Sequence, residues 1–212
     1  MKITHYGHAC VLLETDAARA LIDPGAYCTG FDELRDLDLV LITHQHPDHV
    51  APERLAALLE ANPRARVVTN AGVAEALGLT EAIVVAAGDV VEENGLRVRA
   101  TGEKHGAIHA LVPDVVNTGF VVDDLVWHPG DSFDGGEQHA PVLLVPAGGP
   151  WMKIGEAVDF VRAERPRVAV PIHQAGLAAV HRELHYSLLG NLAPEGTTLL
   201  VLEEGTPTEL PG

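Results

Sequence analysis

The chain has 212 residues, 47% of them hydrophobic and 4% aromatic, so a core must come mainly from Val, Leu, Ile and Ala. Its 14 Lys and Arg face 30 Asp and Glu; the formal charge of −16 repels phosphate backbones and argues against a nucleic-acid partner. Two cysteines cannot staple a small fold, no run approaches the roughly 18 apolar residues of a membrane span, and the polar "MKITHYGHACVLLE" opening is no signal peptide, so a cytoplasmic protein is expected.

Short strand-like runs come first: "KITHY", "CVLLET" and "RALIDP", separated by Gly7 and a "DAA" turn. "LDLVLIT" (37–43) is continuously apolar, as in a strand buried on both faces. "PERLAALLEA" (52–61) has helical spacing at Leu55, Leu58 and Leu59, with Pro52 in the first turn. "ARVVTN" reads as a strand and "AGVAEAL" as a short helix ending near Gly78; "AIVVAA" and "LRVRATG" are again strand-like. "TGFVVDD" and "LVWHPG" suggest a hairpin about Asp123–Asp124. Strand "PVLLVPA", helix "IGEAVDFVRAER", strand "RVAVPIH", helix "LAAVHRELHYSLLGNL" and strand "TTLLVLEE" complete the chain. Strands with helices interleaved in both halves predict two sheets packed face to face with helices outside, in one domain over 1–212.

The densest chemistry lies in "THQHPDH", residues 43–49, straight after an apolar run. His44 and His46, two apart on an extended chain, can point to one side and share a metal. Asp48 and His49 follow Pro47, where the chain turns, and can face a second ion. A solvated turn that happens to be rich in histidine is the plain alternative. Against it, further candidates follow other apolar runs: His105 after "LRVRATG", Asp131 after "LVWHPG" and His173 after "RVAVPI". All could gather at one sheet edge, where loops carry chemistry on a rigid scaffold.

The ordered motifs "LIDPG", "THQHPDH", "EKHG", "HPGDSF" and "VPIH" resemble the metallo-β-lactamase superfamily of binuclear metallohydrolases. "YGHAC" and the modest length look like its branch of ascorbate-6-phosphate lactonase-like and uncharacterised hydrolases. The resemblance implies an α/β, four-layer αββα sandwich. It implies that His44, His46 and His105 hold one metal and Asp48, His49 and His173 another, with Asp131 between them and Asp23 bracing the metal loop. The cofactors would be two divalent ions, zinc first, with manganese or iron as alternatives. Asp131 stands where a secreted β-lactamase offers cysteine, which argues against antibiotic hydrolysis.

The expected function is cleavage of a small ester, lactone or phosphoester by a metal-bridging hydroxide, with Asp48, Asp131 and His8 as catalytic candidates. A nuclease or phosphodiesterase of the same superfamily and a non-catalytic metal-binding scaffold are the alternatives. A cationic cleft leaves an anionic substrate open, as a homo-oligomer is open. The other histidines read differently: His109 competes weakly with His105, His128 packs beside Asp131, and His5, His139, His181 and His185 are surface or structural. Tyr27 reads as a solvated loop residue, while Trp151 could border the cleft or plug the core.

Overall fold

The computed structural model describes residues 1–136 and 138–211. In chain order the first half contains β1 (Lys2–His5), β2 (Val11–Glu14), β3 (Arg19–Ile22), β4 (Leu39–Ile42), α1 (Pro52–Ala61), β5 (Arg66–Thr69), α2 (Ala71–Leu77) and β6 (Ile83–Val84). There follow β7 (Val90–Glu93), β8 (Leu96–Thr101), β9 (Gly119–Val122), β10 (Val126–His128), β11 (Val142–Pro146), α3 (Ile154–Glu164), β12 (Val168–Ile172), α4 (Ala179–Asn191), β13 (Thr198–Leu199) and β14 (Thr208–Glu209). They form two mixed seven-stranded sheets, β14-β1-β2-β3-β4-β5-β6 and β13-β12-β11-β10-β9-β8-β7.

Alternation along the strands explains the layering. In β4, Leu39 and Leu41 join the core between the sheets, while Val40 and Ile42 pack with Leu55 and Leu58 of α1 and Val73 of α2. In β11, Val142 and Leu144 face the same inter-sheet core, and Leu143 and Val145 meet Val158, Phe160 and Val161 of α3. Both strands are therefore apolar throughout, and the result is the αββα sandwich expected from the sequence. No helix among the described residues is long and apolar enough to cross a membrane.

The parallel runs decide where chemistry can sit. Strands β3 to β6 pair in parallel, as do β10 to β13, and helices supply most of the crossovers. Parallel strands end on the same side, so the segments leaving β4, β10 and β12 open onto a common edge. The hairpin between β9 and β10 turns through Asp123 and Asp124, both at positive φ (52° and 50°), as expected.

Several strands depart from the sequence expectation. β7 is an unpredicted strand that pairs with β8 across an Asn94–Gly95 turn with φ of 48° and 85°. Its alternating half-exposed pattern and two glutamates hide it from a hydropathy reading. β14 is two residues long and exists through its pairing with β1, more than 200 residues earlier in the chain. The strand expected over "TTLLVLEE" shrinks to Thr198–Leu199, and that over "AIVVAA" to Ile83–Val84. Each lies at a sheet edge or has one strand neighbour, so local β-propensity extends further than the available pairing.

Candidate metal centre

The seven expected ligand residues arrive at one place, from both sheets. His44, His46, Asp48 and His49 lie beyond β4, His105 beyond β8 and Asp131 beyond β10, while His173 directly follows β12. Potential donor atoms fall into three overlapping groups, each within 4.8 Å: His44, His46 and His105; His8, Asp48, His49 and His173; and His44, His49 and Asp131. Asp131 touches both halves, with Oδ1 3.1 Å from His49 Nε2 and Oδ2 3.4 Å from His105 Nε2 and 3.0 Å from His173 Nε2. His8, expected as an acid or substrate contact or as a structural hydrogen-bonding residue, stands beside Asp48 in the second group.

Hydrogen bonds fix which nitrogen of each ring faces inward. Asp23 is wholly buried; its Oδ1 accepts from the Thr43 backbone N–H at 2.8 Å and its Oδ2 from the Thr43 hydroxyl at 2.8 Å. That donation uses the only hydroxyl hydrogen, so Thr43 Oγ1 accepts from His44 Nδ1 at 3.0 Å and leaves a lone pair on His44 Nε2. His49 Nδ1 donates to Asp23 Oδ2 at 2.7 Å, and His105 Nδ1 donates to the Gly106 carbonyl at 2.6 Å. The opposite nitrogens, His49 Nε2 and His105 Nε2, are buried without hydrogen-bond partners, as are Asp131 Oδ1 and both ring nitrogens of His173. His49 Nε2 and Asp131 Oδ1 are close enough to pair electrostatically but are not aligned as donor and acceptor.

His44 Nε2 lies 3.0 Å from His46 Nδ1, a separation that a proton or a shared cation must bridge. Donors that are anchored at one end and unpartnered at the other are costly in a dry interior. Imidazole and carboxylate donors at these separations fit divalent transition ions, so the residues present suit the metal that the sequence implies.

The electrostatics agree. Burial holds His44 well below the usual imidazole range, with the charge at His49 adding to it, so its Nε2 lone pair is free. Burial also opposes charge on His49 and His173, but carboxylates prevail. Asp131 and Asp23 raise His49 well above its ordinary value, and Asp131 and Asp48 raise His173 to about 9. Burial would push Asp48 and Asp131 upward, yet the neighbouring histidines, His173 and His8 at Asp48 and His49 and His173 at Asp131, hold both well below the carboxylate range. The buried Asp23 and Asp131 and the partly buried Asp48 thus call for compensating positive charge, which protons supply in a metal-free chain.

The supports come from residues whose roles the sequence left open. Trp151 Nε1 donates to Asp131 Oδ2 at 2.7 Å, so the indole orients the central carboxylate. A Cβ at Gly106 would collide with that indole, which is why the segment carrying His105 can pass over it. Asn117 Oδ1 accepts from the Asp131 backbone N–H at 3.0 Å. In "LIDPG", Gly25 lies so close to the 48–49 backbone that a Cβ would strike the Asp48 carbonyl. Trp151 carried no directional signal in the sequence, because its partner lies 20 residues away in another loop.

Remaining candidates sort by position. The Ala175 backbone N–H points at His8 Nδ1 (3.3 Å), which puts the His8 proton on Nε2, 3.1 Å from Asp48 Oδ2. Tyr27 is 61% exposed and packs edge-on to the His8 ring. His109 sits on the loop beyond His105, where its Nδ1 accepts from the Leu111 N–H, so it does not compete for the cluster. His128 is buried against the Ala9 carbonyl, His5 Nε2 meets the His8 carbonyl, and His185 Nδ1 meets the Ala147 carbonyl. His181 is exposed, and His139 lies near the carboxylate of Glu164 through its backbone N–H.

Comparison with known proteins follows the same outline. Residues 2–173 match the family model described as beta-lactamase superfamily domain. Protein Rv0786c of Mycobacterium tuberculosis is 44% identical over 195 residues, covering 89% of this chain and 91% of that one. A UPF0173 metal-dependent hydrolase of Methanocaldococcus jannaschii is 29% identical over 226 residues, covering 98% and 100%. Among solved structures, the metallo hydrolase Igni18 of Ignicoccus hospitalis superposes with a TM-score of 0.73 at 24% identity, over 99% of each chain.

Proposed function

We propose, from the premise that this chain belongs to the metallo-β-lactamase superfamily of metal-dependent hydrolases, that it works with two divalent ions on a small ester, lactone or phosphoester. His44, His46 and His105 would hold one ion and Asp48, His49 and His173 the other, with Asp131 between them. Zinc is the first candidate, and manganese or iron suits the same donors. Such ions, when bound, lower the pKa of water and polarise the carbonyl or phosphoryl group under attack.

The chain's own groups do the rest. Asp23 and Thr43 fix the tautomers of His49 and His44, so both rings present Nε2 inward. Trp151 restrains the Asp131 carboxylate. His8 is held neutral by burial, and its Nε2–H donates to Asp48 Oδ2, orienting that carboxylate at the mouth. Asp48, partly open to solvent, is placed to take a proton from the attacking water and return it to the leaving group.

The observation that carries this reading is the set of buried, unpartnered atoms on His49, His105, Asp131 and His173, residues whose donor atoms fall in overlapping groups each within 4.8 Å. His46→Ala or Asp48→Ala should lower bound metal, measured by elemental analysis after desalting, and abolish hydrolysis across a panel of esters, lactones and phosphodiesters. The circular dichroism spectrum should be unchanged. Full metal content in both variants would overturn the assignment, and turnover of nothing in the panel by the metal-replete parent would favour a binding scaffold.

A further inference from the structure

The loop that delivers His105 also builds a second wall of the site. It is stapled at its base, where His105 N–H donates to the Val115 carbonyl at 3.0 Å and Gly106 N–H to the Asp131 carbonyl at 2.7 Å. Beyond that base the crest presents large apolar side chains to solvent. Ile108 and Val112 are 39% and 45% exposed, and Leu111 is 87% exposed. Between the crest and the candidate ligands His46 and His105 lies a recess of about 110 Å³. Ala107, Ile108, Ala110, Val112, Pro113 and Val115 are six of its eleven lining residues. Asp114 is the one charged side chain bordering it besides any charge on its histidines, and no Lys or Arg does so among the described residues.

We propose that this recess is a substrate subsite that takes a short, uncharged aliphatic substituent beside the scissile carbonyl of a carboxylic ester or lactone. The inference rests on the hydrolase reading of the adjoining centre. An anionic substituent lodged there would shed water beside Asp114 with no guanidinium or ammonium among the described residues to receive it, which is unfavourable. An aliphatic group replaces water along the aliphatic side chains of that lining. Clustered exposed apolar side chains at the lip of a site are the usual mark of such a contact. The reaction is ordinary hydrolysis: water adds to the carbonyl carbon, the acyl C–O bond breaks, and the proton lost by water ends on the departing alcohol oxygen.

The test uses the metal-reconstituted chain and a series of p-nitrophenyl esters from acetate to octanoate, beside bis-p-nitrophenyl phosphate. Each methylene that enters the recess should raise kcat/KM by about fourfold. The small volume should end the gain after a few carbons, and the phosphodiester should be the poorer substrate. The variants Ile108→Ser and Val112→Ser alter partly exposed positions outside the metal cluster; they should flatten the chain-length dependence without lowering metal content. Calorimetric titration with alkyl hydroxamates of the same lengths gives a readout without turnover, and affinity should climb with chain length in the parent alone. Chain-length-dependent binding without hydrolysis would sink the hydrolase reading and keep the subsite. Hydrolysis or binding indifferent to chain length, absence of both, or preference for the phosphodiester would overturn the subsite.

Discussion

Replacing Asp23 by Asn changes one atom in a side chain that never meets solvent, and its consequence can be worked through donor by donor. The carboxylate accepts three hydrogen bonds, from the Thr43 N–H to Oδ1 and from Thr43 Oγ1 and His49 Nδ1 to Oδ2. With the Asn oxygen kept at the Thr43 N–H, the amide nitrogen falls where Oδ2 was. Thr43 Oγ1 can respond by accepting, but His49 Nδ1 must then accept as well. Its proton moves to Nε2, the nitrogen that faces Asp131 at 3.1 Å. The ring thereby loses the lone pair that a metal needs. Loss of one hydrogen bond to a charged acceptor costs about 2 kcal/mol, and altered support of a ligand typically weakens metal binding by about 10- to 100-fold. For a chain of this size Tm should fall by roughly 4–8 °C. Competition with a chromophoric chelator measures the affinity, and nitrogen-resolved NMR of His49 reports the tautomer. A variant that binds metal as tightly as the parent, with the His49 proton still on Nδ1, would refute the tautomer argument.

Trp151→Phe keeps an aromatic ring against Gly106 but removes the donor to Asp131 Oδ2, so metal affinity should drop by about 10- to 100-fold with little change in secondary structure. Unaltered chelator competition would show that the indole merely fills space. In the metal-free chain, the raised pKa of His173 makes stability depend on pH. Its contribution is complete below the unfolded value near 6.5 and is lost as pH climbs through the folded value of about 9, because the folded chain there holds a proton the unfolded chain has released. Thermal melts between pH 6 and 10 in chelator should therefore decline, whereas metal-loaded protein, its His173 proton displaced, should lack that decline. Parallel curves with and without metal would contradict proton–metal exchange at His173.

Much of this architecture is written in local patterns. The all-apolar run ending in "THQHPDH" specifies a strand buried on both faces, since its alternate residues meet two different cores. The order of strands and helices specifies parallel ladders, and parallel ladders bring chain segments out at one edge. The positions of His44, His46, Asp48, His49, Asp131 and His173 follow from that logic, so their convergence is legible in the sequence. Two of the edge strands, β7 and β14, are not, because their short, half-exposed segments become strands through the partners they pair with.

What the chain's one-dimensional record could not contain is orientation. Composition and spacing say that imidazoles gather; they do not say which ring nitrogen is protonated, because that depends on an acceptor contributed from elsewhere in the fold. Asp23 reaches His49 from 26 positions away, Trp151 reaches Asp131 from 20, and Ala175 faces His8 from 167. The same holds for the recess beside His105, whose lining residues look like an ordinary loop until folding sets them against His46. Sequence determined the donor types and the edge at which they assemble. Tertiary packing alone decided their protonation, their aim and the surface that a substrate meets, since directional hydrogen bonds form between residues that only folding makes neighbours.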